Sequence, residues 1–205
     1  MKKLLIVTAM LALAAAPGHA AEKTYHFGVS DQRTNVTFES TTDFEVVLGS
    51  THDLQGQVTA DLERGTGTVN LAVPVASLGT GIDMRDEHLR SPMWLDAERH
   101  PTISFRSQEA RKLADGTWQV AGTFTLHGVS RPVTARADVR PIPAELATKA
   151  GLEAGEWIRV SVPFEVQLSD FGVKIPEMAA AKVNDTWDVQ VVAFASTAPP
   201  TAAGM

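Results

Sequence analysis

Between Asp83 and Arg90 the sequence gathers Asp83, Arg85, Asp86, Glu87, His88 and Arg90, and His100 follows shortly after. A carboxylate beside an imidazole can move a proton or supply half of a metal site. On a helix, Arg85, His88 and Leu89 share a face, because residues three and four apart are neighbours. The spacing is not that of a zinc helix, which needs His at i and i+4 around a Glu. The competing reading is a charged network that pins a helical segment across one end of the fold. Polar networks fix local structure more often than they catalyse, so this reading is preferred. No Gly-x-Ser-x-Gly elbow, Gly-rich phosphate loop or EF-hand calcium loop occurs. His52, in Ser50-Thr51-His52-Asp53, and His127, beside Gly128, read as solvated loop residues. The expectation is a protein without catalytic residues, metal or cofactor.

The elements around this cluster alternate with period two, the signal of half-buried strands. Val69-Leu71-Val73-Val75 is one aliphatic face, opposed by Thr68, Asn70 and Ala72. The longest such face is Ile158, Val160, Val162, Phe164, Val166 and Leu168, opposed by Arg159, Ser161, Glu165 and Gln167. Phe44-Val46-Leu48, Leu54 to Leu62, Ile103-Phe105, Trp118 to Leu126, Val133 to Val139 and Trp187 to Ala193 read the same way, with Tyr25 to Ser30 and Asn35 to Ser40 as further candidates. Arg64-Gly65-Thr66-Gly67, Asp115-Gly116 and His127-Gly128 supply turn chemistry between runs. Hairpin-linked strands with one apolar face each predict an all-β fold, an antiparallel barrel or sandwich. Closure is favoured, because an open sheet leaves long edges exposed to aggregation. From Met84 to Arg99 the pattern breaks into one or two short helices. Asp83 with Asp86 makes one start signal and Ser91-Pro92 a second, and His100-Pro101 ends the segment. A long connection with one helical turn is expected from Pro141 to Gly155, and a mobile tail from Ser196 to Met205.

Lys2 and Lys3 precede a 13-residue apolar run, Leu4 to Ala16, and Gly18-His19-Ala20 then places small residues where a signal peptidase reads. The run is shorter than the roughly 20 residues that span a bilayer. Residues 1–20 therefore read as a signal peptide cleaved after Ala20, residues 21–195 as one barrel domain, and residues 196–205 as the tail, in a protein exported to the periplasm. The 18 Lys and Arg, less Lys2 and Lys3, stand against 24 Asp and Glu, a net charge of −8 after cleavage. That balance repels phosphate backbones and argues against a nucleic-acid partner. No later stretch is apolar enough to be a membrane helix, so an integral membrane protein is not expected. The absence of Cys excludes disulfides, thiolate zinc sites and thiol catalysis.

At Arg85-Asp86-Glu87-His88-Leu89-Arg90-Ser91 and at His100-Pro101-Thr102-Ile103-Ser104-Phe105 the chain resembles the YceI-like family. That family comprises secreted proteins of the polyisoprenoid-binding, lipocalin-like type. Val120 to Val133, with Gly128-Val129-Ser130-Arg131-Pro132-Val133 at its end, Ser169-Asp170-Phe171-Gly172-Val173 and the strand after Val183-Asn184-Asp185 fit it as well. The similarity runs from about Tyr25 to Ala195. One departure is that many members carry a His shortly after the Phe matching Phe38, where this chain reads Glu39-Ser40-Thr41-Thr42-Asp43. The resemblance implies an extended lipocalin-like barrel of about eight strands around a long apolar tunnel for an isoprenoid or fatty-acid-like amphiphile. It implies no catalytic residues.

On that reading the tunnel lining is drawn from the apolar faces of the alternating runs: Phe44, Leu48, Leu54, Val58, Leu71, Val73, Ile103, Phe105, Phe124, Val162, Phe164 and Val189. Leu89 and Trp94 cover it from the helical segment, and Arg85, Asp86 and His88 form its polar end. Alternation identifies a buried face, not an empty space behind it, so a packed core stays open as the alternative. The functional reading is a periplasmic carrier or store for a long-chain lipid, monomeric or homodimeric. The alternatives are an enzyme using Asp86 and His88 on an apolar substrate, and a filled barrel serving as an interaction module.

Overall fold

The computed structural model describes residues 22–29, 33–152 and 155–200; the expected signal peptide and the last five residues lie outside them. Ten strands and two α-helices follow one another: β1 (Lys23–Phe27), β2 (Asn35–Thr41), β3 (Val46–Thr51), β4 (Gln55–Asp61), β5 (Thr66–Pro74), α1 (Asp83–Arg90), β6 (Thr102–Lys112), β7 (Trp118–Leu126), β8 (Val129–Ile142), α2 (Ala144–Lys149), β9 (Trp157–Gln167) and β10 (Thr186–Ser196). All ladders are antiparallel, in the order β1-β4-β5-β6-β7-β8-β9-β10-β2-β3, and a β1–β10 pairing closes the ring. One edge of β10 pairs with β9 from Thr186 to Ser196. The other edge takes β2 along Asp188–Val192 and β1 at Ser196. β1 and β2 are thus successive parts of one stave, as are their partners β4 and β3. Ten strands make an eight-stave barrel, the size at which the interior just fills or holds one small ligand. Among the described residues no helix is long and apolar enough to cross a membrane.

The helical break is shorter than the sequence predicts. Only α1 is α-helical, and Ser91 to Arg99 forms successive turns before β6. Asp83 does not cap α1, whose N-cap is Ile82 without a side-chain bond. Asp86 instead accepts bonds from the Thr80 amide (2.7 Å) and hydroxyl (2.6 Å), tying the helix to the segment leading into it. The expected helical turn after Pro141 is α2. The first residues of the expected tail are anchored: Ser196 is buried and pairs with His26 and Trp157, and Thr197 exchanges hydrogen bonds with Glu156.

β3 also corrects the sequence reading. Phe44-Val46-Leu48 was expected to face inward, but Val47 is buried, while Phe44, Val46 and Leu48 are 73%, 51% and 57% exposed. The β2–β3 turn decides this. The Thr42 hydroxyl accepts from the Phe44 and Glu45 amides, and Thr42 N–H donates to Glu45 O at 3.0 Å. Strand pairing then resumes at Thr41 and Val46, placing Val47 opposite Ser40 and Gly49 opposite Phe38. With Val46 and Val47 both apolar, the pattern alone does not choose a register, and one step flips every side chain. Gly49 leaves room for the Phe38 ring, which stacks on Trp187 at 5.3 Å and 13°. A Cβ on Gly49 would meet Phe38 Cζ at 2.0 Å.

Gly49→Val should therefore overpack this corner and lower unfolding stability by about 1–3 kcal/mol in urea denaturation. Leu48→Val, one residue away on the outer face, should stay within about 0.5 kcal/mol. Equal effects of the two would refute the assigned register.

Candidate functional site

The inward side chains do not fill the barrel. Tyr25, Phe27, Ile158 and Ala193 are buried, yet Val58, Leu71, Phe105, Phe124, Val162, Phe164 and Val189, on the same inward parity, keep accessible surface. They border a hollow of about 1300 Å³ that reaches from Trp118, Ala110 and Ala137 near one end to Leu78, Leu95 and Leu126 near the other. Its middle carries an aromatic chain in which Phe124 meets Phe164 edge-on at 5.9 Å and Phe171 at 5.4 Å.

The barrel wall has one loose joint. β8 pairs with β9 only from Asp138–Ser161 to Ile142–Trp157. Before that ladder β8 runs from Val129 to Ala137 bonded to β7 alone, and beyond it β9 runs from Val162 to Gln167 bonded to β10 alone. Each free stretch contains a proline paired on its other side, Pro132 opposite Thr123 and Pro163 opposite Gln190. Proline has no N–H to donate, so within sheets it is held to edges. Here both prolines face their missing donor toward the seam. The hollow takes residues of both parities at this place, Ala135 and Phe164 from inside and Thr134, Arg136 and Glu165 from outside. It therefore opens through the wall between β8 and β9.

Arg131 stands at the mouth of that opening. It shares the inward parity of Val133 and Ala135, pairs opposite Phe124, and lines the hollow. Its Nε–H donates to Asp170 O at 3.1 Å, bridging β8 to the turn after β9. The guanidinium keeps further donors for an acceptor group at the mouth.

Of the residues expected from sequence, Leu54, Val58, Leu71, Val73, Ile103, Phe105, Phe124, Val162, Phe164 and Val189 line the hollow. Leu48 borders only its outer reach, from the exposed face of β3. Phe44 does not line it, because it sits in the β2–β3 turn with the Lys182 ammonium 5.9 Å from its ring centroid. Leu89, on α1, is buried and Trp94 packs against the same core; neither borders the hollow. The expected polar end is displaced as well. Arg85 pairs with Glu45 at 2.8 Å, Asp86 is engaged by Thr80, and His88 is exposed; none of the three borders the hollow. Burial opposes ionisation of Asp86, but the Thr80 hydroxyl and amide, with Arg90 and Arg85 nearby, outweigh it and hold the carboxyl below its ordinary range. It is an ionised acceptor with its bonds made, two residues from His88 and on another helix face. Alternation could not reveal Arg131, which reads as one more polar residue in a turn motif until β9 is seen to leave β8.

The relatives fit this architecture. A UPF0312 protein of Pectobacterium carotovorum subsp. carotovorum is 34% identical over 135 residues, 64% of this chain and 69% of that protein. One from Vibrio cholerae is 25% identical over 177 residues, 85% of this chain and 90% of the relative. Among solved structures, Burkholderia cenocepacia BcnA superposes with a TM-score of 0.70 at 20% identity, covering 82% of this chain and 99% of its own. A polyisoprenoid-binding domain from Saccharophagus degradans, described as implicated in plant cell wall breakdown, superposes at 0.63 with 18% identity, covering 85% and 98%. The YceI-like domain pattern matches residues 27–195, from the end of β1 to the end of β10, and by that match the chain belongs to the YceI-like domain family.

Proposed function

We propose that the protein is a carrier or store for a long-chain isoprenoid or similar amphiphilic lipid, exported to the periplasm by residues 1–20. The carrying observation is an inward face of apolar residues that keep accessible surface around a hollow of about 1300 Å³. That volume includes a reach along the outward-facing Thr37, Leu48 and Gln190, and its extent from Trp118 to Leu126 suits a chain rather than a compact ligand. Each CH₂ taken from water contributes about 0.8 kcal/mol before ordering costs, so the tail supplies the affinity. Arg131 receives the polar end, and the β8–β9 seam is the way in. The polyisoprenoid-binding neighbour supports the choice of ligand class. The engagement of Asp86 with Thr80 supports binding over catalysis by an Asp86–His88 pair.

Extraction of the purified protein with organic solvent, followed by mass spectrometry, should yield a long-chain lipid near one equivalent per chain. A clean extract, together with no uptake of added polyprenol, would exclude the carrier. Phe164→Trp should lower lipid loading with only a modest drop in melting temperature, because the added ring enters space the ligand uses. Unchanged loading with a loss of about 1–3 kcal/mol would mean a packed core at this level. Arg131→Ala should weaken a fatty-acid probe about tenfold, matching a lost charged hydrogen bond of about 1.5 kcal/mol, and leave squalene binding unaltered. Equal losses for both probes would remove Arg131 from the headgroup role.

A further inference from the structure

We propose that Asp96, His100 and His127 form a site for one divalent transition-metal ion of the zinc class, separate from the lipid hollow. Asp96 lies in the turns after α1, His100 just before β6, and His127 in the two-residue β7–β8 turn. The fold brings one ligand atom from each within 4.8 Å of the others. An ion with bonds of roughly 2.0–2.1 Å needs donors a little over 3 Å apart, so small side-chain rotations complete the set. None of the three borders the hollow.

Several details of the surroundings suit a metal. Asp96 is 2% exposed, so its carboxylate is held away from water. Arg99 donates to it from Nε–H, to Oδ2 at 2.6 Å, and from its backbone amide, and a carboxylate has lone pairs to spare on both oxygens. The His100 and His127 rings meet edge-on with centroids 4.7 Å apart. Gly128 lets the turn approach the His100 ring, since a Cβ there would lie 2.6 Å from its Cε1. His127 Nδ1 lies 3.3 Å from Phe171 O. In the tautomer that donates this bond, Nε2 keeps its lone pair free, the arrangement usual for metal-bound histidine. The backbone points the same way. Asp96 (φ 48°) and His127 (φ 49°) are the two non-glycine residues with positive φ among the described residues, and both belong to this cluster. Before Gly in such a turn Asn or Asp is the usual residue; His127 puts an imidazole there instead.

Two imidazoles and one carboxylate suit zinc, cobalt, nickel, copper or ferrous iron, with a coordination position left for water. Bound there, the ion would clamp the β7–β8 turn to the segment between α1 and β6 and favour the folded state by mass action.

The test uses the tag-free full chain after chelator treatment, with Co²⁺ titrated by visible absorption and Zn²⁺ by melting temperature. The expected result is one equivalent of Co²⁺ with tetrahedral or five-coordinate bands and a higher melting temperature in Zn²⁺. His127→Asn keeps a residue that accepts positive φ, and Asp96→Asn keeps the side-chain shape. Each should weaken Co²⁺ binding by more than the roughly 10–100-fold that loss of a mere supporting group brings, with unchanged circular dichroism. No Co²⁺ bands in the unaltered protein would overturn the site. So would bands that persist in both variants, which would place the ion on other histidines.

Discussion

The pairing of β10 along both edges is the interaction on which the rest of the molecule depends. Its first edge carries β9 over the whole strand, and its second is divided between β2 and β1. That division turns ten strands into eight staves and closes the ring. Closure removes the free edges that would otherwise invite aggregation. It also sets a circumference, and with it the space that inward side chains must fill or leave open. On β10 itself Trp187, Ala193 and Ala195 are buried and close the two ends, while Val189 and Val191 between them keep surface toward the hollow.

A ring held this firmly needs a weak joint if a long ligand is to enter. Among the described ladders that join β5 through β10 in turn, β8–β9 is the shortest, and prolines stand on both strands where it stops. Missing donors make re-pairing across the seam less favourable and preserve it as an opening. Arg131 then occupies a place where an apolar interior meets solvent. A cation is tolerable there because its head stays hydrated while its stem lies along the wall.

The end of the barrel under α1 is built differently. Val75, Leu78, Leu89 and Leu95, all within the connection between β5 and β6, form its buried side, and Arg90 donates to Leu78 O at 2.9 Å. The charged residues of α1 therefore serve to tie a cap in place. Asp96 sits at the lower rim of that cap and faces the β7–β8 turn, so the cap and the barrel wall meet at the two histidines.

Strand periodicity and turn residues were sufficient to reveal an antiparallel all-β fold, barrel or sandwich, the inward parity of Val58, Leu71, Phe105, Phe124, Phe164 and Val189, and the position of the helical break. Those properties are local: a period of two and a glycine turn are written in neighbouring residues. The direction of Val47 against Leu48 was not legible, because two adjacent valines carry no alternation and the Thr42 turn sets the register. The polar residue of the hollow was sought in the densest charged cluster, yet Asp86 and Arg85 have their partners in Thr80 and Glu45. Arg131 gains its role only because β9 departs from β8, and His127 meets His100 only because the β7–β8 turn reaches the rim of the cap. These are encounters between residues far apart in the chain, and only closure of the barrel decides them.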